Sequence, residues 1–86
     1  MKVWMIILRA SADEKAEGGE DEVFTCVYKK LERAKAQCVT AMKDDDVEET
    51  TIEWADVTEK GKSRKWYGRP TADVDFYFDI LEVEVV

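Results

Sequence analysis

"VFTCVYKKLERAKAQCVTAMK", residues 23–43, carries two periodicities at once, and the place where it is divided decides the fold. Phe24, Val27, Tyr28, Leu31, Ala34, Cys38 and Met42 fall at helical spacing, yet residues 23–28 are six strand formers in a row. The reading adopted is a short strand over 23–27 followed by a helix over 30–43. The helix's apolar stripe is Leu31, Ala34, Cys38, Ala41 and Met42, a pattern suited to packing on a core.

Upstream, "KVWMIILRA" (2–10) is apolar on both alternating faces, which predicts a central strand. Between it and the strand at 23 lies "SADEKAEGGEDE" (11–22). With two glycines, no large apolar residue and several carboxylates, it reads as an acidic, solvated loop.

Downstream, "TTIEWADVT" (50–58) and "KSRKWYGR" (62–69) predict a hairpin. Lys60 and Gly61 would form a two-residue turn. That register sets Glu59 opposite Lys62, Asp56 opposite Lys65, and Trp54 opposite Tyr67, three favourable cross-strand pairs. A slip of one residue loses all three. Pro70 is read into the loop that follows.

The closing "VDFYFDILEVEVV" (74–86) changes phase: Val74, Phe76, Phe78 and Ile80 share one face, then Leu81, Val83 and Val85 take the other. A β-bulge near Ile80, or a change of layer there, would account for it. The order of elements predicts a single α+β domain over 1–86. It is a two-layer sandwich with an antiparallel sheet of four to five strands, one helix packed across it, and the first and last strands paired in the middle.

Several function classes are set aside by composition. The chain has no histidine, so the commonest general base and the Ser-His and Cys-His arrangements are missing. Two cysteines, Cys26 and Cys38, are too few for a disulfide framework or a zinc site, and both are read as free, buried thiols. No catalytic residue, cofactor or metal is expected. No run of apolar residues is long enough to span a membrane, and the expected location is the cytoplasm.

The opening apolar strand (3–8), the "VYKKLERAKA" entry at 27–36 and the "FDILEVEV" close at 78–85 together resemble the small strand-helix-strand proteins of unknown function found in bacteria and their phages. In size and acidity the chain is similar to phage-encoded inhibitors of the anti-CRISPR type. The first resemblance implies no activity and the second implies an inhibitor; separately, Asp75 and Asp79 on one side of the last strand, with Asp73 and the 44–49 cluster, offer carboxylates able to imitate a phosphate track.

Two sets of residues are candidate binding surfaces. The acidic set is Asp44, Asp45, Asp46, Glu48 and Glu49, placed after Lys43 where the helix dipole disfavours negative charge, with Asp73, Asp75 and Asp79. It suits a protein partner with a basic surface, and a solvated surface is the competing reading. The basic-aromatic set, Lys60, Lys62, Arg64, Lys65, Trp66 and Arg69, has the ingredients of single-strand nucleic-acid binding. In the predicted hairpin its charges divide between two faces, and a chain of net charge -7 repels phosphate at long range. The expectation is therefore a non-enzymatic acidic protein-binding module, of the phage or mobile-element inhibitor kind, that makes no direct contact with nucleic acid. A small nucleic-acid-binding protein is the alternative. A structural or homodimeric module is a third reading, which an uncovered edge strand would favour.

Overall fold

The computed structural model describes residues 1–44 and 51–86. Its elements are β1 (Lys2–Ala10), α1 (Ala12–Ala16), β2 (Glu22–Tyr28), α2 (Leu31–Asp44), β3 (Ile52–Asp56), β4 (Lys65–Pro70) and β5 (Phe76–Glu84). The five strands form one antiparallel sheet in the order β2-β1-β5-β4-β3, with α2 across one face. This is the two-layer α+β arrangement expected, with β1 and β5 at its centre.

Alternation along β1 and β5 sorts side chains onto the two faces. Trp4, Ile6, Phe78 and Ile80 point to the helix side and pack with Ala34, Cys38 and Met42 of α2. The three helix residues are spaced by four and so share one stripe. Ala34 and Cys38 are small, which lets the helix lie close to the sheet. Phe78, Ile6, Met42 and Ile80 are fully buried, each contributing about 1.5–3 kcal/mol of hydrophobic stabilisation. The helix begins where the Lys30 carbonyl accepts the N–H groups of Arg33 and Ala34.

The division of residues 23–43 into strand and helix matches the chain, but several other expectations do not. The acidic loop over 11–22 contains the short helix α1 and ends inside β2. Cys26 is exposed, because β2 is an edge strand; only Cys38 is buried.

The hairpin takes the slipped register, with Trp54 opposite Gly68 and Asp56 opposite Trp66. Trp54 and Trp66 pack on the helix side, whereas Tyr67 lies on the other face against Tyr77, ring centroids 5.2 Å apart. Instead of a two-residue turn, residues 57–64 form a longer loop. Its tip is a turn closed by Lys62 N–H to the Glu59 carbonyl, 3.0 Å, and Gly61 there has φ of 79°. Asp56 does not meet Lys65; its carboxylate accepts the Thr58 N–H at 3.0 Å. Pro70 belongs to β4 as its last residue, opposite Ile52 and past the last pair that β4 makes with β5, Gly68↔Phe78.

The phase change in β5 is not a bulge. β5 pairs with β1 without interruption from Lys2↔Glu84 to Ala10↔Phe76. The irregularity lies in the pairing of β1 with β2, between Met5 and Ile7, where residues 24–26 stand opposite Ile6 alone. Leu81 and Val83 simply belong to the second face, beside Met5 and Val3.

Candidate functional site

The pairings place Val3, Met5, Ile7, Arg9, Tyr67, Tyr77, Asp79, Leu81 and Val83 on the face away from α2. No described helix of comparable length covers it. At its centre Asp79, with a side chain only 5% exposed, accepts a hydrogen bond from Arg9 Nε at 2.9 Å, and Lys65 Nζ stands 3.8 Å from the same oxygen. Arg9 Nη1 also reaches Asp21 Oδ2 at 3.0 Å, and Lys15 Nζ lies 3.5 Å from that atom. The Ala10 N–H donates to the other Asp21 oxygen. These bonds favour the charged forms: Asp79 and Asp21 raise the pKa of Arg9, while Arg9 and the Ala10 amide lower that of Asp21. The network ties three strands to the segment that follows α1.

That geometry removes Asp79 from the acidic surface predicted for it, since its carboxylate is buried and paired. Asp73 and Asp75 are exposed in the loop between β4 and β5, and Asp44 is exposed at the end of α2. Asp45, Asp46, Glu48 and Glu49 lie outside the described residues.

Topology brings Asp44, Asp73 and Asp75 to one end of the sheet. Ser11 N–H donates to the Asp75 carbonyl at 2.9 Å, which joins the start of the β1–β2 connection to the loop before β5. α2 returns along β2, so that Ala41 and Glu22 line the same groove. Exposed Glu17, Glu20 and Glu22 come to this end through the β1–β2 connection. Residues scattered from 17 to 75 thus form one acidic pole, a grouping that residue order alone does not reveal.

The basic-aromatic set is dispersed. Trp66 turns its ring to the helix side, where Lys35 Nζ sits 4.1 Å from the ring centroid, and its buried indole N–H has no partner among the described residues. It is not a platform for a base. Arg64 stacks over Trp4 at 5.5 Å, Lys65 turns to Asp79 on the open face, and Arg69 pairs with Glu53 at 3.3 Å. Lys60, Lys62 and Arg64 are exposed in the loop and enter no ion pair among the described residues, Arg64 being held by the Trp4 ring.

Among the described residues no group of three or more Asp, Glu or Cys is placed to hold a metal ion, and no helix is long and apolar enough to cross a membrane. No known protein family, curated protein or solved structure matches the chain. The open sheet face and the β2 edge went unforeseen in the sequence; their one visible signal was a first strand apolar on both sides.

Proposed function

We propose that the chain is a non-enzymatic protein-binding module that offers its acidic pole to a basic surface of a partner protein. The observation that carries this reading is the convergence of Asp44, Asp73, Asp75, Glu17 and Glu20 at one end of the fold. Asp44 ends α2, where the helix dipole disfavours a carboxylate. A role as an inhibitor of a nucleic-acid-handling partner, of the phage or mobile-element kind, is the form of the proposal that this acidity suits. The nucleic-acid reading loses its main support with Trp66 turned to the helix and Lys65 and Arg69 engaged.

Affinity capture from the native host, followed by association kinetics with the captured protein, tests the proposal. Electrostatic steering makes the on-rate fall steeply with salt. Replacing Asp44, Asp45, Asp46, Asp73 and Asp75 by Asn and Glu48 and Glu49 by Gln should slow association without loss of thermal stability. An unchanged on-rate would reduce the pole to solvated surface. A mobility shift of DNA or RNA at near-physiological salt, abolished by Lys60→Ala with Lys62→Ala, would replace the proposal by its alternative.

A further inference from the structure

We propose that two copies of the chain associate through β2, antiparallel and edge to edge, so that their sheets join into one. β2 stands at the edge of the sheet, and no described strand pairs with its outer side. Exposed edges are usually blunted by charge or proline. The other edge, β3, is shorter and bears Glu53 and Asp56, whereas the middle of β2 is "VFTCV", uncharged, with Val23 and Val27 56% and 51% exposed.

The occupant is set by charge. Glu20, Asp21 and Glu22 stand at the start of the segment, and Lys29 and Lys30 at its end. A second copy running antiparallel lays its basic end on the acidic start of the first, and a two-fold axis repeats the match. Centred on Thr25, the pairing sets Val23 against Val27 of the second copy and Glu20 against its Lys30. A parallel arrangement would oppose like charges at both ends. Glu20, Glu22, Lys29 and Lys30 are exposed, and none enters an ion pair among the described residues, so their side chains remain to be used between copies. The register shift opposite Ile6 makes the middle of the edge irregular. Its charged ends therefore set both partner and direction.

The interface shares Glu20 and Glu22 with the acidic pole but none of the seven carboxylates substituted above, and self-association is read without the partner protein, so the two proposals fail separately. Sedimentation of the full chain from micromolar to millimolar concentration should show the mass rising from 9.9 kDa toward twice that value. E20K/E22K and K29E/K30E should each weaken association about tenfold or more, and an equal mixture of the two should restore it as a heterodimer. Circular dichroism checks that each variant is folded. Val27→Lys, at an exposed site, gives a second disruption should a charge variant fail to fold. A wild-type chain that stays monomeric at millimolar concentration overturns the proposal. So does undiminished association of the folded variants, which would move the interface to the open sheet face, or a mixture that remains monomeric.

Discussion

The indole of Trp54 lies across the α-carbon of Gly68: a Cβ built on Gly68 would stand 2.5 Å from Cζ3 and 2.8 Å from Cη2 of the ring. Ile52 Cγ2 would be 2.9 Å away. Gly68 is thus the place in β4 that admits the Trp54 ring against the strand, and this contact accounts for the β3–β4 register.

Gly68→Ala should therefore destabilise the fold by about 1–3 kcal/mol, the range for overpacking a well-filled site. Chemical denaturation measures it. The same substitution in a Trp54→Val background should cost less, because the two residues share the contact. Equal costs in both backgrounds would remove the ring as the cause.

Arg9→Met should cost about 3 kcal/mol, because it leaves Asp79 buried with only Lys65 nearby. Arg69→Met breaks a pair whose side chains are 61% and 62% exposed and should cost at most about 1 kcal/mol. Urea midpoints of the two variants, compared at neutral pH, check the order.

Burial pushes the Cys38 thiol up to about 12, while Cys26 is exposed. A thiol reagent at mildly alkaline pH should modify Cys26 in the native protein and reach Cys38 only after unfolding. Mass spectrometry of the labelled peptides reads the outcome. Because the unfolded thiol ionises at lower pH than the folded one, stability should also decline as pH rises from about 9 toward that raised value.

Acid should unfold the protein through Asp21 and Asp56. Arg9 and the Ala10 amide lower the first, and hydrogen bonds from Thr58 lower the second. Below about pH 4 the unfolded chain takes up protons that the folded carboxylates still refuse, so stability falls as pH falls. The contribution is gone once pH passes below the folded values. Asp21→Asn should lower stability at neutral pH and flatten this acid limb in a pH series of thermal melts.

β1, α2 and β5 were legible because each carries many apolar residues in one period, and burial energy of that size overrides local ambiguity. The hairpin register was not. The predicted register rests on the aromatic pair Trp54 with Tyr67 and on the charge pairs Glu59 with Lys62 and Asp56 with Lys65, cross-strand contacts worth tenths of a kcal/mol to about 1 kcal/mol each. One ring seated on Gly68 outweighs them. The second apolar parity of β5 is legible as a pattern, but it reads as a bulge or a change of layer, since nothing local shows that Leu81 meets Met5 and Val83 meets Val3 across the sheet. Of the candidate site, Asp73 and Asp75 could be named, but their meeting with Glu17 and Glu20 depends on strand order. Asp79 reads as surface in the sequence because its partners, Arg9 and Lys65, are remote in the chain.

The pairing of β1 with β5 also governs when the protein can fold. β1 is synthesised well before its partner, and its whole length must wait for a strand that begins at Phe76. Until then it can pair only with β2, and its broad apolar surfaces stay available to other chains. The central contacts span nearly the whole sequence, so the search that brings them together is long and folding is slow for a chain of this size. Newly made copies would therefore pass through an interval of exposed strands in which chaperones could hold them.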